Sequence, residues 1–176
     1  MKIKFNKLES NRLILRKFSI ELVKKEYVSW LNDPNNNKYS QQKYKKHTLI
    51  SCKNYYREFT RTGNLFISIF FKKTNKHIGN IGITIDYNNK IADVSIIIGD
   101  KIYKNRGIGN ECWQIIINFL KKQTMLKKIS AGTLKCNNNM LSLMKNSGMK
   151  YDGFRKKHFF VNAKLEDQVF YAIYLK

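Results

Sequence analysis

Apolar residues recur at two different spacings along this chain, and the switches between them mark out its elements. Alternate positions are apolar through NRLILRK at 11–17, the pattern of a strand with one face buried. Leu22, Val23, Tyr27, Trp30 and Leu31 then share one face of a helix predicted over 20–31, with Ser19 as its cap. Asn32-Asp33-Pro34-Asn35 ends that helix, and a polar stretch runs to His47 before a second helix over 51–61. Three strand patterns follow in a row, at 65–72, 77–87 and 91–99. Their turns, Thr74-Asn75-Lys76 and Asn88-Asn89-Lys90, are short enough to make the three an antiparallel meander. The period then changes to helical over 109–122, where Trp113, Ile116, Ile117 and Leu120 form a core face. A strand at 128–135, a helix at 138–146 and strands at 151–155 and 168–175 complete the chain. The order β-α-α-β-β-β-α-β-α-β-β predicts an α+β fold in one domain over 1–176. Its central sheet is mixed, mostly antiparallel, and flanked by helices.

Composition adjusts this picture in three places. At 176 residues, 43% hydrophobic and 13% aromatic, the chain can close a core without metal or disulfide staples. Its net charge of +22 attracts phosphates at long range, which favours an acidic partner or substrate. The excess is nearly all Lys, alongside abundant Asn and Ile, the residues of A/T-rich codons. The runs at 43–46 and 121–128 therefore read as solvated faces, and nucleic acid is not the expected substrate. Cys52, Cys112 and Cys136 are odd in number and far apart, which points to a reducing, cytoplasmic setting. No apolar run approaches the roughly 20 residues of a membrane span, so no membrane partner is expected.

The chemistry is concentrated in IIIGDKIYKNRGIGNE at 96–111, where a strand delivers the chain to a loop that opens a helix. Gly107 and Gly109 let the backbone approach a bulky ligand. The first N–H groups of a helix lack internal partners and, with the helix dipole, form an anion site. Lys104 and Arg106 add positive charge. Such a loop suits a pyrophosphate. It is not a Walker loop, because no GK[ST] follows, and it is not a dinucleotide fingerprint, because the third Gly is missing.

A strand, then (Q/R)xxGxG, then a helix after an antiparallel meander resembles the acetyl-CoA motif of the GNAT acyltransferases. The chain is similar to the branch holding ribosomal-protein N-terminal, spermidine and sugar-nucleotide acetyltransferases. LESNRLILR at 8–16, WLNDP at 30–34, the segment from Asn137 to Gly148-Met149, and 153–171 with Lys164 and Asp167 carry the likeness over nearly the whole chain. The resemblance implies a coenzyme pyrophosphate on the backbone N–H groups of Asn105, Arg106, Gly107, Ile108, Gly109 and Asn110. It implies a pantetheine arm beside Ile97, Ile98 and Gly99, in a split that a bulge opens between the strands of Ile97 and Thr133. Asn137 matches an Asn that contacts the coenzyme. Lys104 stands where the family has Gln or Arg, and keeps the charge without the guanidinium fork. Met144 stands where many members carry a Tyr acting on the leaving thiolate. Acetyl-CoA is thus the expected co-substrate, no metal is expected, and the acceptor is a small-molecule amine.

Amine attack on a thioester needs a neutral amine. Neutralising a lysine-like amine of pKa about 10.4 at pH 7 costs roughly 4–5 kcal/mol, and an α-amine of pKa about 8 roughly 1 kcal/mol. Asp93, which shares a strand face with Ser95, is the candidate base, with an exposed strand charge as its plainer role. A backbone N–H near Ile97 or Ile98 is the candidate oxyanion donor. Glu111 reads as a charge complementing the helix dipole, and Cys112 as a small core residue. Tyr103 and Tyr171 are candidate acceptor-side aromatics, and His47 falls on the acceptor loop. His47, His77 and His158 have no metal-ligand spacing. Three readings stand: an N-acetyltransferase of an amino sugar, free or nucleotide-linked; a protein N-terminal acetyltransferase; and a non-catalytic basic module that binds RNA or the ribosome. Monomer and homodimer both fit, the latter through the strand at 168–175.

Overall fold

The computed structural model describes residues 2–176. Its organising feature is one eight-stranded sheet, ordered β1-β2-β3-β4-β5-β6-β8-β7. The strands are β1 (Leu8–Glu9), β2 (Leu13–Lys17), β3 (Leu65–Phe71), β4 (Lys76–Asp86), β5 (Ile91–Ile98), β6 (Lys128–Leu134), β7 (Lys150–Val161) and β8 (Lys164–Tyr174). All neighbours are antiparallel except β5 and β6. The helices are α1 (Lys25–Asn32), α2 (Pro34–Asn37), α3 (Leu49–Arg61), α4 (Ile108–Lys121) and α5 (Asn138–Asn146). Among the described residues, no helix is long and apolar enough to cross a membrane.

Two cores cover the two faces of the sheet. On one face Trp113, Ile116, Ile117 and Leu120 of α4 pack on Ile81, Ile83, Ala92, Val94 and Ile129, as the helical spacing of α4 predicted. On the other, Phe18, Val23, Tyr27 and Trp30 join Cys52 and Phe66 beneath α1 and α3. That second core explains a departure from the expected helix over 20–31. The segment is a 3-10 turn at Ile20–Leu22, an extended break at Lys24, and then α1; Ser19 makes no side-chain cap. The break brings Phe18, Val23, Tyr27 and Trp30 into one cluster, and that packing overrides the helical pattern.

The last hairpin is much longer than the strands expected at 151–155 and 168–175. β7 and β8 pair out to Val161↔Lys164, with a register shift between Arg155 and Phe159. Its distal end packs Phe159 and Val161 on Leu134 and Tyr39. There Lys43 Nζ and Tyr44 Oη donate to the Phe160 carbonyl, at 2.5 and 3.2 Å. The loop between α2 and α3 is thereby tied across the C-terminal end of β6.

Candidate active site

β5 and β6 pair for only three residues, Ile91↔Lys128, Ala92↔Ile129 and Asp93↔Ser130. Beyond that point β5 stays paired to β4, and β6 to β8, but not to each other. The sheet therefore opens into a V between residues 94–98 and 131–134. No bulge in β5 produces this opening, contrary to expectation: the register with β4 is continuous from Gly79↔Ile98 to Asp86↔Ile91. The shift in this part of the sheet lies between β3 and β4, at Ile69/Phe70.

Backbone parity decides which groups face the V. Gly99 N–H donates to Ile78 O at 3.0 Å, so by ladder alternation the odd residues of β5 spend their polar groups on β4. Ile96 and Ile98 turn N–H and C=O outward into the opening. Ile97, expected beside the coenzyme arm, instead turns its backbone to Asn80 of β4. The side chains divide oppositely: Ile96 and Ile98 pack toward α4, while Asp93, Ser95 and Ile97 share the other face.

β5 delivers the chain to the phosphate-type loop through Gly99. A side chain there would start 2.1 Å from the Trp30 ring, so only Gly permits the close approach of α1. Asp100 caps the turn Lys101–Tyr103 through Ile102 N–H at 2.9 Å and pairs with Lys76 at 2.8 Å. Asn105 lies at φ 57° and Gly107 at φ 74°, a left-handed pair that swings the chain into α4. The first helical hydrogen bond runs from Glu111 N–H to Gly107 O (3.0 Å), which leaves the N–H groups of Ile108, Gly109 and Asn110 without helical partners. Asn105, Arg106, Gly107 and Asn110 are exposed, and Ile108 is buried. These groups, with the outward ladder of Ile96 and Ile98, fit a pyrophosphate carrying an extended arm.

Lys104 does not point freely to this anion site. Its Nζ donates to Asn36 Oδ1, and Asn36 Nδ2 donates to Trp30 O (3.0 Å) and Gly99 O (3.2 Å). Asn137 caps α5 by accepting from Met140 N–H, and its Nδ2 donates to Thr133 Oγ1 at 2.9 Å, at the end of the β6 arm of the V.

Asp93 stands at the vertex of the V and keeps solvent exposure. Surrounding protein strips water from the carboxylate and raises its pKa above the ordinary value, against the Ser130 Oγ hydrogen bond at 2.8 Å. Beside it, Gly132 lies close under the Phe170 ring, and the Arg155 guanidinium sits 5.5 Å from that ring's centre. This face of the sheet thus carries the Asp93 carboxylate at the vertex and, farther along β7 and β8, the Arg155 guanidinium and Glu166.

The remaining expectations divide. Met144 is fully buried in the main core and offers no proton to a thiolate. Cys112 is fully buried and burial pushes its thiol well above the ordinary range, so it is inert core. Tyr103 packs on Phe71 at 4.9 Å, away from the acceptor face, and Tyr171 pairs with Ala131 on the α5 side. His47 is held by Asn32, which accepts from its N–H and donates to its carbonyl. Two clefts of about 450 and 460 Å³, beside α1/α3 and beside α5, contain neither Asp93 nor any residue of the phosphate loop.

Sequence reasoning missed Asn36, Arg12 and Asn80. Asn80 is 2% exposed, accepts from His77 Nε2 at 2.8 Å, and has no partner for Nδ2. His77 Nε2 also lies 3.0 Å from Gly79 O, so it carries the proton. A lone amide within the isoleucine-rich β4 was the available signal.

Comparison with known proteins agrees with this geometry. A family model described as an acetyltransferase (GNAT) domain matches residues 12–150. No curated protein matches at a significant level. Among solved structures, spermidine N-acetyltransferase from Vibrio cholerae in complex with CoA and spermine superposes with TM-score 0.81 at 16% identity, over 94% of this chain and 96% of that one. A ribosomal L7/L12 alpha-N-protein acetyltransferase in complex with coenzyme A gives 0.78 at 15%, over 94% and 96%. A GNAT-family acetyltransferase from Bacillus anthracis gives 0.75 at 19%, over 96% and 98%. At these identities the structural likeness speaks for the fold.

Proposed function

The chain belongs to the GNAT acetyltransferase family, and we propose that it acetylates the amine of an anionic small molecule, an amino sugar carried on a nucleotide. Acetyl-CoA supplies the activated acetyl group. Ile108, Gly109 and Asn110 N–H would hold the pyrophosphate, and the outward backbone of Ile96 and Ile98 the arm. Asp93 takes the proton of the amine at the vertex of the V, directly or through water; its raised pKa makes it a stronger base than an ordinary carboxylate.

The observation that carries the acceptor class is the state of the carboxylates. The chain has 12 Asp and Glu against 34 Lys and Arg. Glu9, Glu26, Glu58, Asp100, Glu111 and Asp152 are already ion-paired within the protein. Among the described residues Glu21, Asp33, Asp86, Asp93, Glu166 and Asp167 form no ion pair, and of these Asp93 stands at the vertex of the V. A polyamine needs several free carboxylates, and Arg155 lies farther along the same face. A positive field with a guanidinium on that face suits a phosphate-bearing acceptor. A protein α-amine is the second reading: its lower pKa eases deprotonation, and the net charge of +22 would dock it on an acidic partner.

The experiment is thiol release from acetyl-CoA with three acceptors: a nucleoside-diphosphate-linked amino sugar, spermidine, and a peptide with a free N-terminus. The proposal expects the highest kcat/KM with the first. Preference for spermidine would overturn the charge argument, and preference for the peptide would select the second reading.

A further inference from the structure

Glu111 has the wrong sign for its position. It lies in the first turn of α4, the helix whose start is to meet two phosphates. Its carboxyl is held ionised: burial would raise the pKa, but hydrogen bonds from Ser10 and Arg12 and the Arg12 charge bring it below the ordinary value. An unscreened carboxylate there would repel the ligand.

The turn between β1 and β2 supplies the counterweight. Ser10 Oγ donates to Glu111 Oε1 at 2.5 Å, and the Arg12 backbone N–H to the same oxygen at 3.1 Å. Arg12 Nε and Nη2 both reach Glu111 Oε2 at 2.6 Å. Its Nη1 donates to the Arg106 carbonyl at 2.9 Å. Nη2 also lies 3.5 Å from where a side chain on Gly107 would begin. One guanidinium therefore grips both sides of the left-handed turn, the carbonyl before it and the carboxylate after it. The contact joins residues 99 apart in sequence.

Resting on the coenzyme reading above, we propose that Arg12 is a positioning residue of the coenzyme phosphate site. It cancels the charge of Glu111 and holds the Arg106 carbonyl aside, so that the N–H groups from Gly107 to Asn110 present a net positive face. Arg suits this task because its planar fork makes the three contacts at once; Lys would keep the charge and lose the fork.

The test measures affinity for two probes, acetyl-CoA and S-acetylpantetheine, which lacks the phosphates. Arg12→Gln is expected to weaken acetyl-CoA binding about ten- to thirty-fold, the scale of one uncompensated charge a few ångströms from the site. Binding of S-acetylpantetheine should stay within about two-fold, since it makes no phosphate contact to lose. The double variant Arg12→Gln/Glu111→Gln should regain most of the acetyl-CoA affinity, because the repelling carboxylate is gone. Arg12→Lys should fall between wild type and Arg12→Gln, and carries the comparison if Arg12→Gln does not fold. Equal loss on both probes would mean a structural role only, and a double variant no better than the single would remove the electrostatic account. Wild-type protein that binds neither probe would overturn the coenzyme reading itself, an outcome distinct from both.

Discussion

Replacing Gly109 by Val separates ligand binding from folding, because only the first should change. A Cβ at Gly109 would meet nothing nearer than Ile98 Cγ1 and Leu143 Cδ1, both at 3.9 Å, which is ordinary contact. The backbone there is regular helix, and Val is only a few tenths of a kcal/mol better than Gly in a helix, so the fold should be close to unchanged. The melting temperature should stay within about 2 °C of the wild type, the shift expected for that energy in a chain of this size. The ligand fares otherwise. Two methyl groups beside the N–H of Gly109 would keep a phosphate oxygen from reaching it. One charge-assisted hydrogen bond is worth about 1.5–3 kcal/mol, so affinity for acetyl-CoA should drop at least ten-fold. Gly107→Ala is the contrasting control. Its φ of 74° makes any side chain cost about 1–2 kcal/mol, so it should lower the melting temperature as well. Calorimetric titration with acetyl-CoA, beside a thermal melt, reads both quantities. Unchanged affinity in a folded Gly109→Val protein would reduce the loop to a plain turn and refute the assignment of the phosphate site.

Asp93→Asn should lower kcat about a hundred-fold while leaving the affinity for acetyl-CoA unchanged; an unchanged kcat would hand the role of base to water. The same variant should be more stable at neutral pH. The folded-state pKa of Asp93 is raised, so its favourable contribution exists below the ordinary carboxylate value and is lost as pH rises through the folded value. The gain in melting temperature should therefore vanish in acid, and a gain that persists there would contradict the linkage. Met144→Tyr should destabilise the fold by about 1–3 kcal/mol through overpacking of a fully buried site, without any gain in rate. A faster enzyme would show that the side chain reaches the V after all.

Much of the fold was legible because its signals are local. The meander β3–β4–β5 announced itself through short turns, and α4 through four apolar residues at helical spacing, each now fully buried. The distal half of the last hairpin gave no such signal. RKKH at 155–158 has no alternation, and the register shift between Arg155 and Phe159, with Lys157 at φ 47°, breaks whatever period remained. What stabilises that end is distant: Leu134, Tyr39 and Lys43. The site follows the same division. The Gly107–Gly109 turn into α4 was readable from its spacing. The choice between Ile97 and Ile98 depended on which residues bond to β4, a property of strand pairing that one strand's sequence does not contain. Arg12 and Glu111 were each visible, but nothing in a linear reading joins them.

The α1–α2 corner shows why a phrase so far from the loop belongs to the site. Asn36 bonds at once to the Trp30 carbonyl at the end of α1, to the Gly99 carbonyl at the end of β5, and to Lys104 in the phosphate loop. Gly99 itself exists as Gly because Trp30 presses on it. Arg12 makes the matching attachment on the other side of the loop, through the Arg106 carbonyl and Glu111. The loop is therefore clamped at both ends by segments that lie on the sheet's far side or edge. A loop with two left-handed residues would by itself sample many shapes. Clamped at Gly99, Lys104, Arg106 and Glu111, it keeps its N–H groups aimed in one direction before any ligand arrives, and the ordering cost of binding is met during folding. The basic charge of the chain attracts phosphates from every side; in the proposed coenzyme site these two clamps would give that attraction a place.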